Sequence, residues 1–312
     1  MGWFDFLTRR AAPGAGVVVA LGGGGARGLA HVGVLEVLEE AGVPLAGVAG
    51  TSAGAVVGAM WLALGGAAGV VRRWREFIEA GIVRELPDTR LAENVSTRDN
   101  PILHFARKVR NGAFVALALE RTSLVTHAQL EHALAFLLPD VPIESLPLPF
   151  AAIATDFETG RPVVLHSGRL LRALAASCAI PAVVPPVPVG GVYLVDGGTV
   201  ADVPVAQAGL LADRPVVAVD TGEGWRAEDP ATITLPRALL RGANMTHRAL
   251  RERLISDADL VLRPAVSGAH WSEFHRFEEL RAAGRSAALQ HVHRLRALSA
   301  GPRRRTAARS EA

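Results

Sequence analysis

The sequence predicts an α/β protein, a three-layer sandwich whose largely parallel central sheet is covered by helices on both faces. Three observations carry this prediction. Short β-branched runs alternate with segments of helical period. Those runs are nearly free of charge, as in strands buried on both faces. Two of them pass directly into a glycine-containing turn and then a helix. A chain of 312 residues, half of them hydrophobic and a fifth charged, can bury a core of this kind.

Val17–Leu21 reads as the first strand and ends in four glycines. Leu29–Ala41 follows with Leu29, Val32, Leu35 and Leu38 in helical spacing, and Gly42 is placed as its stop. Leu45–Ala49 is a second strand, and Ala53–Leu64 is a helix apolar all round, which predicts burial. The uncharged stretch Ala41–Val71 is long enough for a membrane span. Pro44 and the turn at Gly50–Gly54 divide it, so strand, turn and helix is the better reading. Residues 70–147 are mostly helical in pattern, with Val71–Ala80, Asn100–Arg121 and Thr126–Leu138 forming a cap-like region. Strand texture returns in Phe150–Thr155, Arg161–Leu165, Val192–Val195 and Pro215–Asp220, with the proline-rich Ile180–Val189 extended between them. Trp271–Leu298 reads as one amphipathic helix and Pro302–Ala312 as a basic tail. The expected organisation is an N-terminal segment (1–16), a main α/β domain (17–265), a C-terminal amphipathic helix (266–300) and the tail (301–312).

Composition excludes some classes of function. The formal net charge of +3 is too small to point to nucleic acid. Lys108 is the only lysine, so the basic groups are almost all arginine. The single cysteine, Cys178, can form no internal disulfide and no metal cluster, which favours a reducing, cytoplasmic setting with no metal.

The glycine loop Gly22–Gly28 contains Gly23-x-Gly25-x-x-Gly28, the spacing of a dinucleotide fingerprint. That reading requires an acid at the end of the second strand to hold a ribose. The second strand instead ends in Gly50-Thr51-Ser52, and no lysine follows the glycines to make a phosphate loop. What remains is a cradle of backbone N–H groups at a helix N-terminus, suited to an anion or a transient oxyanion. Arg27 adds a full charge there, either to the site or merely to the surface.

Gly50-Thr51-Ser52-Ala53-Gly54 matches G-x-S-x-G, with a strand before it and a helix after it. Ser52 is the candidate nucleophile; a helix N-cap is the plainer alternative. Serine needs a base. None of the ten histidines sits in a distinctive late loop, and His31 reads as a packing or capping residue. Asp196 closes the strand Val192–Val195 and opens Asp196-Gly197-Gly198, so it is either a base brought close by flexible glycines or a plain turn residue.

Together these motifs resemble the patatin-like phospholipase family. Gly23-Gly24-Gly25-Ala26-Arg27-Gly28 resembles its oxyanion motif, Gly50–Gly54 its nucleophile motif and Asp196-Gly197-Gly198 its third motif. Ala154–Gly160 and Ala176–Pro181 resemble two further family blocks, and Ala282–Arg285 fits bacterial members. The resemblance runs from about Val17 to Leu262. It implies a fold related to the cytosolic phospholipases, a Ser52–Asp196 dyad, oxyanion N–H groups from Gly23, Gly24 and Gly25, and hydrolysis of lipid acyl esters without a cofactor. One departure is Asp202, where the family often has asparagine. Acyl transfer, general ester hydrolysis or non-catalytic lipid binding are the alternatives. A lipid substrate implies peripheral membrane contact, for which 1–16 and 100–121 are the candidates, although an ordinary amphipathic helix facing the core is the favoured reading. The oligomeric state is left open.

Overall fold

The computed structural model describes residues 15–82, 123–222, 224 and 233–301. The cap helix expected over Asn100–Arg121, nearly all of the N-terminal segment and the basic tail lie outside the described residues.

The described strands are β1 (Val17–Leu21), β2 (Leu45–Thr51), β3 (Phe150–Asp156), β4 (Pro162–Leu165), β5 (Val187–Val189), β6 (Val192–Asp196), β7 (Val216–Val219) and β8 (Leu260–Leu262). They form one sheet in the order β5-β6-β3-β2-β1-β7-β8, with β4 pairing β3. The centre, β3-β2-β1-β7-β8, is parallel, while β4, β5 and β6 extend it antiparallel. The largely parallel sheet is therefore as the sequence predicts. Residues alternate across β1: Val17, Val19 and Leu21 face one core, and Val18 and Ala20 the other.

The larger core lies under α1 (Ala30–Glu40), α2 (Ala53–Ala63), α3 (Ala67–Glu79), α4 (His127–Leu137) and α5 (Leu170–Ser177). The opposite face is closed by α6 (Val205–Leu211) together with Ile255, just past α7 (Leu235–Leu254). The uncharged stretch is accounted for by β2 and α2, both buried within this sandwich. No single described helix is long and apolar enough to cross a membrane; α2 and α3 pass only as a pair, bent by 118°.

The structure corrects one element. The final helix is two: α8 (Phe277–Leu289) and α9 (Val292–Ala300). α8 packs on α1 at backbone contact, where Gly33 and Gly284 leave no room for a side chain: a methyl group on either would strike the other helix's carbonyls. Glu36 of α1 accepts from Arg281 at 2.8 Å and Arg285 at 3.3 Å of α8. α9 turns away to meet the chain before β1, where Ser299 carbonyl accepts the Gly16 N–H at 2.7 Å.

Candidate active site

Ser52 stands between β2 and α2 with φ 52° and ψ −122°, a conformation that side-chain-bearing residues rarely adopt. It holds the N-cap position but its side chain makes no capping bond. The hydroxyl instead acts on the carboxylate of Asp196, whose charged form it favours. The N-cap alternative is thereby set aside. The turn is tight because the backbone is crowded. A methyl group on Gly50 would strike the first turn of α2, one on Gly54 would strike the Leu21 and Gly22 carbonyls, and one on Gly28 would lie 2.6 Å from Ala53 Cβ.

The sheet register explains why two residues so far apart in sequence meet. Thr51 pairs with Ile153 on one side of β3, and Asp196 pairs with Ala154 on the other. Thr51, next to Ser52, and Asp196 thus stand at nearly the same level, on the two strands that flank β3. Gly197 lets the Asp196 turn pass over β3, since a side chain there would meet the Ile153 carbonyl. Gly198 closes the turn by donating its N–H to Asp196 Oδ1 at 2.7 Å. Asp196 is 5% exposed, and burial pushes its pKa up to about 7. The Ser52 hydroxyl and the Gly198 N–H oppose that rise, and the charge of Asp202 adds to it.

The glycine loop lies beside the serine: a methyl group on Gly23 would be 3.7 Å from Ser52 Cβ. Gly24 and Gly25 have φ 146° and 58°, and among the described residues neither N–H has a hydrogen-bond partner. Gly23 departs from the sequence expectation, because its N–H is engaged by the Asp202 carbonyl at 2.9 Å. The loop is held by Thr221, which donates to the Gly23 carbonyl at 2.7 Å, and by His31, whose Nε2 lies 2.8 Å from the Gly22 carbonyl. His31 is fully buried, and desolvation lowers its pKa to about 4, so it serves as a neutral donor to the loop. Ala26 N–H donates to the Trp271 carbonyl at 2.7 Å, so the segment after β8 closes over the loop. Arg27 is half-buried and its charge acts on Asp202.

Several supporting residues escaped the reading of the sequence. Ser177, at the end of α5, accepts the Ser52 N–H at 2.8 Å and donates to the Ile153 carbonyl at 2.7 Å, tying the nucleophile turn to β3. Burial and the Asp196 charge push the Cys178 thiol well up, against a smaller opposing influence of Ser52, so it stays protonated. Thr51 donates to the Ala201 carbonyl at 2.8 Å, joining nucleophile turn and acid loop. The signal for Ser177 and Cys178 was present in the block Ala176–Pro181, but nothing local says what such a block touches. Asp156, in the other block, accepts the N–H groups of Glu158 (2.9 Å) and Thr159 (3.1 Å) and so only closes the β3–β4 turn. Among the described residues no group of acids, histidines and cysteine could hold a metal ion.

The structure thus places a strand-to-helix serine, a buried carboxylate and a glycine loop together at one end of the central sheet. Residues 19–208 match the family model described as Patatin-like phospholipase. The chain belongs to the patatin-like phospholipase family. It is 34% identical over 215 residues to an uncharacterised NTE family protein of Mycobacterium bovis, covering 68% of this chain and 51% of that one. It is 27% identical over 320 residues to lysophospholipase nte1 of Aspergillus fumigatus, covering 95% of this chain and 19% of that one. Among solved structures it is similar to VipD from Legionella pneumophila, with a TM-score of 0.45 and 16% identity over 91% of this chain and 68% of that chain. The chain spans about half the length, or less, of these curated relatives.

Proposed function

We propose that the protein is a serine acyl-hydrolase of lipid esters, of phospholipase A or lysophospholipase type, working through Ser52 and Asp196. The observation that carries this reading is the strained Ser52 whose hydroxyl meets a carboxylate held at a pKa of about 7. A base with that proton affinity is about half ionised at neutral pH and strong enough to take the serine proton as the hydroxyl attacks. An ordinary aspartate, near 4, is not.

The reaction runs in two halves. Ser52 Oγ attacks the ester carbonyl and Asp196 takes its proton. The tetrahedral oxyanion forms against the N–H groups of Gly24 and Gly25, at the N-terminal end of the turn that leads into α1. Asp196 then gives its proton to the departing alcohol, which leaves an acyl group on Ser52. Water, with Asp196 again the base, releases the fatty acid. Gly23 shapes the loop rather than donating, because its N–H is engaged. The lysophospholipase named among the relatives supports a single-chain lipid ester as the first substrate to try.

The test is fatty-acid release from lysophospholipid micelles and from short-chain esters by the full chain, with labelling by a fluorophosphonate probe. Ser52→Ala should lose about a thousandfold or more in turnover and all labelling. Near-normal hydrolysis by that variant, or labelling elsewhere, overturns the assignment.

A further inference from the structure

Asp202 is a second acid at the site, in a position the reaction does not explain. Its carboxylate is buried, with 10% of the side chain exposed. A methyl group on Gly23 would lie 2.8 Å from its Oδ1, and one on Gly198 would lie 3.6 Å from the same atom. The carboxylate is thus wedged between the glycine loop and the turn that carries Asp196. Its backbone carbonyl, by accepting the Gly23 N–H at 2.9 Å, fastens the two loops together.

The other carboxylate oxygen faces α7. His247 Nε2 is 3.8 Å from Asp202 Oδ2 and a guanidinium nitrogen of Arg251 is 3.9 Å from it. His247 Nε2 is also 2.9 Å from the Gly198 carbonyl, so that nitrogen carries a proton and donates it to the acid turn. Arg251 reaches Asp220, at the end of β7, at 3.5 Å, and Arg263 meets the same carboxylate at 3.5 Å. The groups acting on Asp202 are therefore Asp196 on its own loop, Arg27 on the glycine loop, His247 and Arg251 on α7, and Asp220 after β7.

We propose that Asp202 is a positioning residue for Asp196: anchored by His247 and Arg251, it clamps the acid turn to the glycine loop and keeps a second negative charge beside the base. This rests on the reading of Asp196 as base. The charge works in the direction the reaction needs, since a like charge nearby favours the protonated form of Asp196 and so strengthens it as a proton acceptor. Two carboxylates share the site, but the Ser52 hydroxyl is among the influences on Asp196 and not among those on Asp202. Burial pushes the Asp202 carboxyl up, and His247 and Arg251 on its far side, away from Ser52, oppose that rise. Asparagine here would keep the wedge and remove the charge.

The experiment is a titration of the carboxyl carbons by NMR in the full chain, comparing wild type, Asp202→Asn and Asp196→Asn. A methyl group on Gly198 would lie 3.0 Å from Asp196 Oδ1 and 3.6 Å from Asp202 Oδ1, which puts the two carboxylates near enough to shift one another by about one pH unit. The Asp196 midpoint should fall by about that amount in Asp202→Asn. Because coupling is reciprocal, the Asp202 midpoint should fall by a similar amount in Asp196→Asn, a variant expected to fold. The acid limb of kcat/KM in Asp202→Asn should move down in pH by the same shift, with KM changed less than twofold. Unshifted midpoints overturn the clamp's electrostatic role, and so does a loss of kcat that is uniform across pH with the limb unmoved. Shifted midpoints in a wild-type protein that hydrolyses no ester would leave the coupling standing and refute the function on which its use depends.

Discussion

Replacing Asp196 by asparagine should make the protein more stable and catalytically inert at once. The carboxyl group is 5% exposed, and burial lifts its pKa from 3.8 to about 7. An acid whose folded-state pKa lies above its unfolded value binds its proton more tightly when folded. Its contribution to stability is intact below about pH 4, where both states are protonated. Between pH 4 and 7 the unfolded chain releases the proton and the folded chain does not, so stability drains away. Above pH 7 the loss is complete and constant. About three pKa units at 1.36 kcal/mol each give roughly 4 kcal/mol. Asparagine has no charge to desolvate and retains an oxygen for the Gly198 N–H. Asp196→Asn should therefore match wild type near pH 4 and exceed it by up to roughly 4 kcal/mol at pH 8. Urea unfolding at pH 4, 6 and 8 reads this directly, as a gap in midpoints that opens with pH. Ester hydrolysis by the same variant should fall by about a thousandfold. A stability gap that stays flat from pH 4 to 8 would refute the buried, desolvated carboxylate. Undiminished hydrolysis would refute its role as base.

Three further outcomes follow from the same geometry. The kcat/KM of wild type should fall on the acid side with a midpoint near pH 7, as Asp196 takes up its proton; a limb near pH 4 would exclude it as the base. Ser52→Gly should be more stable than Ser52→Ala by about 1 kcal/mol in thermal unfolding, the reverse of the usual order, because glycine accepts φ 52° and alanine does not; the usual order would argue against strain at the turn. Gly54→Ala drives a methyl group into the Leu21 and Gly22 carbonyls and should cost about 3 kcal/mol or prevent folding, measured by the urea midpoint or soluble yield, with wild-type stability refuting the close contact.

Much of this was legible locally. Buried parallel strands advertise themselves as short β-branched runs, and each strand from Val17 to Val219 was marked that way or by the extended proline segment that supplies β5. Both glycine turns fell between a strand and a helix, so their residues could be named before any contact was known. The misses share a cause: they are set by what lies opposite in space. β8 has three residues, too few to show alternation. The last helix breaks where no glycine or proline stands, because the apolar spacing runs on while the chain turns to reach Gly16. His247 and Arg251 look like ordinary residues of a helix rich in arginine, and only their approach to Asp202 gives them a part in the site. The engaged Gly23 N–H is of the same kind: a glycine motif shows which N–H groups can converge, not which already have a partner.

Asp202 also bears on why a Ser–Asp pair needs more of its surroundings than a serine with histidine. Imidazole brings a pKa near 6.5 wherever it is placed, so its partner need only orient it. A carboxylate must gain about three units from its environment, and desolvation is the largest source here. Desolvation requires a closed site. This one is closed by the turn passing over β3 at Gly197, by Ser177 beneath the serine, and by Trp271 behind the glycine loop. The same closure makes the ionised carboxylate costly to fold, so the loops around it must be fastened from outside. The bonds of Thr51 to Ala201, Gly23 to Asp202 and His247 to Gly198 do that, each joining one segment of the site to another. Loosening any of them should admit water to Asp196 and lower its pKa. A weakened clamp would then appear first as an acid limb moved to lower pH with a reduced maximal rate, before any loss of fold.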